Sequence, residues 1–358
     1  MSTNNYINEL QRKNALYNMY FNGNRKYYAA GYCGGNITPG PKPKPPADVD
    51  ATTQNDILNA LSDDTKTNVL IRLANDIVIN NNSETISRTY SESIGRSMYI
   101  NGKTVTIDLN GKKISVSKDV SKLETDALFV IKRNSTLIID DSVGGGEIVS
   151  NDNPKIYTAI KLTDKTDESS GEKSILIING GKIDGYYYAI SGNGSRGNTE
   201  IVINGGCMTC NLDEDGAVIY NPQDGSVTIN GGELCGPTGI YAKSGHVEIN
   251  GGCIVSTRDH HEYIHSGNGM SSTGDAVVVE RCNYPGKQIT ATINGGVIKS
   301  TGANTNPVAS YTQPDIEIER LVGFIKGGSY SKEIEKELIS EGFKCILTET
   351  GMYQVIKD

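Results

Sequence analysis

The sequence contains few of the residues that fill a conventional globular core. Its 358 residues include no tryptophan and 4 phenylalanines, and hydrophobic residues make up 36%. No stretch is long and apolar enough to form the hydrophobic region of a signal peptide or a membrane span. We therefore expect a protein with a thin core that is made in the cytoplasm, is not secreted by a signal peptide and has no membrane partner.

Beyond the first 46 residues, acidic residues outnumber basic residues. The chain carries a net charge of −8 at pH 7. Residues 1–46 hold 6 basic residues and 1 acidic residue, a net charge of +5, which leaves −13 for the remainder. Such an acidic body disfavours nucleic acid as a partner, because phosphate backbones bind basic surfaces.

The cysteines give no disulfide framework. There are 7 of them, an odd number, which is typical of a reducing compartment. Cys207 and Cys253 each follow a Gly-Gly pair, and we expect both to stack as small core residues. Cys207 and Cys210 form a C-x-x-C motif, but no second pair accompanies it, so the sequence favours no metal and no cofactor.

A short phrase that recurs along the second half of the chain is the strongest signal. It reads Ile-Asn-Gly-Gly and begins at Ile178, Ile203, Ile229, Ile249 and Ile293, with a degenerate copy at Ile325. The first four copies are 25, 26 and 20 residues apart. A period in this range indicates a unit that stacks on itself, because each unit needs a neighbour to bury its apolar face.

The residues before each phrase alternate between apolar and polar, as in Val227-Thr228-Ile229. This period, with β-branched residues, predicts a half-buried strand, and Asn-Gly-Gly accepts the positive φ angles of a sharp corner. The period is too short for a propeller, whose blades need about 40 to 50 residues. We therefore predict an all-β fold, a single-stranded parallel β-helix with about 9 coils of roughly 4.8 Å each.

The corners predict a column of stacked side chains. Amides at one position of successive coils can bond to each other, as in stacked parallel strands. The aligned positions are Asn110, Asp140, Asn179, Asn204, Asn230, Asn250 and Asn294.

The remaining segments predict a second strand in each coil and a cap at each end. The second strands are expected at 159–162, 188–190, 217–220, 239–241 and 276–279. Residues 51–66 are predicted to form a capping helix that starts at Thr52 or Thr53, and residues 67–328 the β-helix. Residues 329–358 are predicted to form a C-terminal cap, with a helix over 332–340 and a hairpin around Gly351.

The N-terminus differs from the body. Residues 39–50 form a proline-rich linker that should be an extended spacer. The preceding segment, 1–38, is basic and rich in tyrosine, a composition that is enriched at interfaces, so we predict that it attaches the protein to a partner. A disordered tail is the alternative. The candidate attachment residues are Tyr6, Leu10, Arg12, Tyr17, Tyr20, Phe21, Tyr27 and Tyr28.

Candidate catalytic carboxylates are few. Glycoside hydrolysis needs two carboxylates at a set separation. Asp140 belongs to the predicted column, and the adjacent Asp141 should point to the opposite face of the strand. The acidic residues at 213–215 lie in a short loop, where clustered acidic side chains are usually exposed to solvent. The sequence therefore shows no convincing catalytic constellation.

One segment matches a metal-site signature. His261-Glu262-Tyr263-Ile264-His265 is formally H-E-x-x-H, which in zinc proteases places both histidines on one face of a helix. The flanking residues leave room for barely one helical turn. We expect no metal here, with His261 and His265 as weak candidates, and the alternatives are a contact surface or an exposed polar loop.

The Ile-Asn-Gly-Gly coils, together with Gly327-Gly328-Ser329-Tyr330-Ser331 and the ending around Gly351, resemble the pectate-lyase-like β-helix repeats of gut bacterial surface proteins and of their phages. The resemblance covers roughly residues 67–358, and the superfamily is right-handed. The layout of anchor, spacer and shaft is similar to that of phage head fibres and tailspikes, which are commonly trimers.

The resemblance implies a viral structural protein, with the virion as its location. We expect a fibre or decoration protein that attaches through its N-terminus to capsid or tail proteins, with host-surface glycan as a candidate ligand. The alternatives are a polysaccharide-degrading tailspike or lyase, and an intracellular scaffold protein.

Overall fold

The chain divides into two units, Met1–Lys44 and Pro45–Asp358. The computed structural model describes residues 44–80, 97–118, 120, 126–162, 172–193, 197–213, 215–284 and 286–358. These residues form a mostly β structure with three long sheets whose pairings are parallel except at the C-terminus. The arrangement is consistent with the predicted parallel solenoid.

Sheet 1 contains the strands that precede the Asn-Gly-Gly corners. Its described strands, in spatial order, are β1 (Val49–Ala51), β2 (Asn68–Leu73), β5 (Thr104–Asp108), β8 (Ser135–Asp140), β11 (Ser174–Ile178), β14 (Thr199–Ile203), β17 (Gly225–Ile229), β20 (His246–Ile249) and β23 (Thr290–Ile293).

Sheet 2 contains the strands that follow those corners, and the sequence analysis predicted only its C-terminal hairpin. In order they are β3 (Ile77–Ile79), β6 (Lys113–Val116), β9 (Glu147–Val149), β12 (Lys182–Gly185), β15 (Cys207–Cys210), β18 (Glu233–Gly236), β21 (Cys253–Ser256), β24 (Val297–Ser300), β26 (Ser329–Tyr330), β28 (Tyr353–Lys357) and β27 (Phe343–Leu347).

Sheet 3 corresponds to the predicted second strands. In order it contains β4 (Met98–Ile100), β7 (Ala127–Ile131), β10 (Thr158–Leu162), β13 (Tyr188–Ser191), β16 (Ala217–Asn221), β19 (Thr238–Ala242), β22 (Val277–Arg281) and β25 (Val308–Thr312). The chain visits sheets 1, 2 and 3 in turn, and each strand pairs with the strand one repeat later.

One row of the core is a stack of identical side chains. The isoleucine of each Ile-Asn-Gly-Gly phrase lies directly above that of the previous repeat, as in the pairing of Ile178 with Ile203 and of Ile203 with Ile229. All three are fully buried. Each such side chain contributes about 1.5–3 kcal/mol through the burial of apolar surface, so the repeat that is visible in the sequence also forms the core.

The N-terminal cap forms largely as predicted. Helix α1 spans Gln54–Ser62, and its N-cap is Thr53, whose side chain accepts a hydrogen bond from the Asp56 amide while the Asp56 carboxylate accepts from the Thr53 amide. The predicted linker ends earlier than expected, because β1 (Val49–Ala51) already pairs with β2 in sheet 1.

The C-terminal cap differs from its prediction. The helix expected over 332–340 is replaced by one 3-10 turn, Lys336–Leu338. The amides of Phe324 and Ile325 both bond to the Leu338 carbonyl, so this backbone pairs with an extended neighbour instead of continuing a helix. The predicted hairpin is present as β27 and β28, and β26 extends sheet 2 beyond the predicted boundary at 328.

Asp108 ties three early repeats together. Its carboxylate accepts hydrogen bonds from Arg72 Nε at 2.9 Å, from the Asn110 amide at 3.0 Å, and from the Ser142 amide and hydroxyl at 3.0 and 2.8 Å. Burial alone would raise the pKa of Asp108, but these hydrogen bonds outweigh it and hold the pKa below its ordinary value of 3.8.

The lowered pKa of Asp108 predicts a pH dependence of stability. The native state favours the carboxylate, so its contribution is complete above the unfolded pKa and is lost as the pH falls through the lower folded pKa. We expect Asp108→Asn to lower the thermal midpoint at pH 7 and to flatten the loss of stability between about pH 5 and pH 2. Thermal melts across this range test it, with the exposed Asp152→Asn as the control. Parallel curves for wild type and Asp108→Asn would contradict the prediction.

Candidate functional site

The corner residues form a ladder of side-chain amides, defined here as the amide column. Each Nδ2 donates to an Oδ1 one repeat earlier: Asn179 to Asp140 at 2.7 Å, Asn204 to Asn179 at 2.9 Å, Asn230 to Asn204 at 3.0 Å, Asn250 to Asn230 at 3.1 Å and Asn294 to Asn250 at 2.9 Å. The column lies on the surface, where its hydrogen bonds fix the register of successive repeats.

Asn110 does not belong to this column. The pairing of β5 with β8 puts Asp108, not Asn110, opposite Asp140. Asn110 lies two residues later, has φ of 51°, and donates from its side chain to the Leu73 carbonyl at 2.9 Å. Its corner is longer: five residues separate Ile107 from Lys113, whereas three separate the equivalent Ile178 from Lys182.

The cysteines lie on both faces of sheet 2. Cys207 and Cys253 are half-buried on the outer face, and Glu233 lies between them in register. The expectation that both stack in the core is therefore wrong. Cys210 points inward and is buried, because residues three apart in a strand lie on opposite faces. The two sulfurs of the C-x-x-C motif are therefore not presented together, and burial raises the pKa of the Cys210 thiol.

A row of tyrosine rings crosses the outer surface near sheet 3. Tyr157 meets Tyr187 edge-on at 5.1 Å between ring centroids, Tyr187 lies 6.4 Å from Tyr188, and Tyr188 stacks on Tyr220 at 5.3 Å. Tyr220 in turn lies 6.3 Å from Tyr241. The row begins exposed at Tyr157 and ends fully buried at Tyr241, so part of the outer face of sheet 3 is covered.

The cover is the stretch between β21 and β22, defined here as the covering segment (residues 257–276). Met270 of this segment packs against the buried outer-face group that includes Tyr220, Tyr241 and Val278. Arg258 forms an ion pair with Asp215 at 2.7 Å, which joins the start of the segment to an earlier repeat. The long interval between the fourth and fifth phrases is therefore a lid on sheet 3.

A buried carboxylate anchors the covering segment. Glu280 of β22 is fully buried and accepts hydrogen bonds from His265 Nδ1 at 2.6 Å, from the Tyr263 hydroxyl at 3.0 Å and from the Tyr241 hydroxyl. Lys243 Nζ lies 3.8 Å from the same carboxylate and donates to the Ser266 carbonyl at 2.5 Å. We call these five side chains the Glu280 cluster.

Burial governs the electrostatics of the Glu280 cluster. It lowers the pKa of Lys243, and the nearby Glu280 carboxylate opposes that shift. Burial also raises the pKa of Tyr241 and of Tyr263, and in both cases the Glu280 carboxylate raises it further. Both phenols therefore remain protonated and act as hydrogen-bond donors.

A second buried carboxylate belongs to the covering segment itself, near its C-terminal end. Asp275 accepts hydrogen bonds from the Tyr311 hydroxyl at 2.7 Å and from the Asn306 amide at 2.7 Å. The Tyr311 ring stacks on Tyr263 with 4.3 Å between centroids. Because Tyr263 bonds to Glu280, two stacked tyrosines bridge the two carboxylates.

Both buried carboxylates, Glu280 and Asp275, bind groups of the same chain. Glycoside hydrolysis needs two carboxylates that reach a substrate, but Glu280 and Asp275 are both fully buried and bound to protein donors. The donors around Glu280 come from β19, from the residue after it and from the covering segment. These contacts therefore attach the covering segment to sheet 3.

The H-E-x-x-H sequence does not form the geometry of a zinc site. Its residues lie in the covering segment, where the structure has no helix. His265 is bound to Glu280, whereas His261 is exposed and its backbone amide donates to the Thr273 carbonyl. In the described part of the chain no group of three or more His, Cys, Asp or Glu side chains is placed to hold a metal ion.

The predicted carboxylates have structural partners. Asp140 starts the amide column, and Asp141 accepts from the amides of Gly111 and Gly146 at 2.8 and 2.7 Å. Asp215 pairs with Arg258. These contacts position loops and corners.

The attachment residues Tyr6, Leu10, Arg12, Tyr17, Tyr20, Phe21, Tyr27 and Tyr28 lie outside the residues that the structure describes. Within the described ranges, no helix has the length and apolar character that a membrane crossing requires.

Comparison of the chain with protein-family models, with curated proteins and with solved structures finds no match in any of the three.

Proposed function

We propose that the three sheets are the walls of a single right-handed parallel β-helix and that this β-helix is the shaft of a phage virion fibre or decoration protein. Residues 1–38 would attach the shaft to capsid or tail proteins, and the proline-rich stretch would act as the spacer. Host-surface glycan is the candidate ligand of the shaft.

One observation carries the proposal of a structural role. The most prominent polar arrays of the described residues, the amide column and the Glu280 cluster, are used for bonds within the chain. An enzyme would instead present perturbed acids and bases in an open cleft. A shaft needs register and rigidity, which these arrays supply.

Polysaccharide degradation is the second candidate function, because the stacked rings of Tyr263 and Tyr311 link two buried carboxylates, Glu280 and Asp275. It requires that the segment open to expose both carboxylates. Incubation of the purified protein with host capsular glycans tests this candidate, and a reduction in glycan chain length would favour it over a purely structural role.

Virion attachment is tested by particle incorporation. We expect full-length protein to co-purify with assembled particles and a chain that lacks residues 1–46 to be absent from them. The matched control keeps residues 1–38 and replaces residues 39–46 by a Gly/Ser spacer of equal length, and it should still be incorporated. Equal incorporation of the truncated chain would refute attachment through the N-terminus.

A further inference from the structure

Asparagine followed directly by glycine is a chemically labile pair that recurs along this chain. The glycine amide nitrogen can attack the side-chain carbonyl carbon of the asparagine, because glycine has no Cβ to obstruct the approach. Asparagine is accordingly one of the thermolabile residues. The sequence has 10 such pairs, and 8 lie wholly within the described residues, at Asn101, Asn110, Asn179, Asn204, Asn230, Asn250, Asn268 and Asn294.

The amide column protects the pairs that belong to it. The Asn204 side chain donates to Asn179 and accepts from Asn230, which keeps its carbonyl carbon away from the following glycine. The attacking nitrogen is also engaged, since the Gly205 amide donates to the Ile178 carbonyl at 3.3 Å. The equivalent distance is 3.2 Å in each of the three column pairs that follow. A reaction in the column therefore requires that hydrogen bonds between repeats break first.

The first two pairs of the described chain are protected at the glycine. The Gly102 amide donates to the Ser135 hydroxyl at 2.8 Å, and the Gly111 amide donates to the Asp141 carboxylate at 2.8 Å. In both pairs the nitrogen that would attack is held by another repeat.

The pair at Asn268 lacks both kinds of protection. Asn268 is exposed in the covering segment, and among the described residues neither its side chain nor the Gly269 amide has a hydrogen-bond partner. Gly269 has a φ of 133°, and a Cβ added there would meet only the Ser266 hydroxyl oxygen within 4 Å, at 3.5 Å. Both reacting groups therefore have room to rotate toward each other.

We propose that Asn268 is a site of spontaneous covalent modification, at which a cyclic imide forms with Gly269 and opens to aspartate or isoaspartate. The Gly269 nitrogen loses its proton and bonds to Asn268 Cγ, while the Cγ–Nδ2 bond breaks and ammonia leaves. Water then adds to either imide carbonyl and opens the ring. The reaction consumes one water, releases one ammonia and needs no oxidant or reductant. The inference is independent of the proposed function.

The modified residue lies between two attachments of the covering segment. On one side the Ser266 carbonyl accepts a hydrogen bond from Lys243, and on the other Met270 packs against the buried outer-face group of sheet 3. Isoaspartate adds one carbon to the backbone between these attachments, and either product adds a negative charge. The modification is therefore expected to loosen the covering segment locally.

Peptide mapping by mass spectrometry tests the site in full-length protein that has aged in a mildly alkaline buffer. We expect the Asn268 peptide to gain aspartate and isoaspartate at least about tenfold faster than any peptide of the amide column, because local structure protects the column. The same protein aged in urea is the control, and there the pairs should react at similar rates. An unmodified Asn268, or equal rates at Asn268 and in the column of the native protein, would overturn the proposal.

Asn268→Gln separates the modification from other effects of ageing. Glutamine at this position would have to close a larger ring, so we expect the variant to stay unmodified. Chymotrypsin should cut after Tyr263 at the same rate in the fresh wild type and the fresh variant, and faster in the aged wild type than in the aged variant. Equal cleavage of the two aged samples, with Asn268 modified in the wild type, would overturn the expected loosening.

Discussion

Replacing Glu280 by glutamine is expected to cause a large loss of stability. The change leaves Lys243 buried 3.8 Å from a neutral group and leaves the protons of Tyr263 and His265 without their carboxylate. Removal of one partner from a buried ion pair typically costs about 3–5 kcal/mol, because the other charge stays uncompensated. Urea unfolding measures the loss.

The same substitution is expected to release the covering segment. Tyr263 and His265 are the segment's side-chain contacts to Glu280, so limited chymotrypsin digestion should cut after Tyr263 faster in Glu280→Gln than in the wild type. The control is Glu317→Gln on the exposed surface, which should change stability by less than about 0.5 kcal/mol. Unchanged proteolysis and an unchanged urea midpoint in Glu280→Gln would show that the cluster does not anchor the segment.

The second large effect is expected at one glycine of the Asn-Gly-Gly corner. A Cβ added to Gly205 would lie 2.6 Å from the Asn179 carbonyl oxygen of the repeat below, which is a backbone atom held in the sheet. At Gly180, the same position of the preceding phrase, the nearest atom lies at an ordinary 3.5 Å. Neither residue has a positive φ, so the contact alone separates them.

We therefore expect Gly205→Ala to destabilise the protein by about 1–3 kcal/mol through overpacking. Gly180→Ala should be neutral or slightly stabilising, because alanine restricts the unfolded chain. Thermal unfolding of the two variants compares the positions directly. Equal midpoints would mean that successive corners are not stacked as closely as the structure places them.

The amide column shows how far a repeat in the sequence determines structure. Asn179, Asn204, Asn230, Asn250 and Asn294 lie where the alignment of the phrases placed them, because stacked repeats give equal positions equal surroundings. Asn110 lies elsewhere because its corner holds two more residues than the Asn179 corner, so the alignment by residue type misjudged the register by two residues.

The Glu280 cluster could not be predicted from the repeat, since its members are far apart in sequence and lie in an insertion. A signal was nevertheless present. The strands β16 and β19 are apolar at both inward and outward positions, which is typical of strands covered on both faces. An apolar outer face requires a cover, and the insertion between the fourth and fifth phrases was the available segment.

The strands of sheet 2 before its C-terminal hairpin were missed for a related reason. Its strands are short, and their outer positions mix lysine, glutamate and cysteine, so they lack the β-branched alternation that marked sheet 1. Their strand conformation comes from pairing with the repeats above and below, which residue preference alone does not reveal.

The measurement that tests the central proposal most directly is the mass in solution of the full-length protein and of a chain that lacks residues 1–46, by light scattering. A shaft that assembles on its own and docks through its N-terminus predicts a trimer in both cases. A monomer in both cases would contradict the fibre proposal, and a trimer of the full-length chain alone would make residues 1–46 the assembly element instead of the attachment segment.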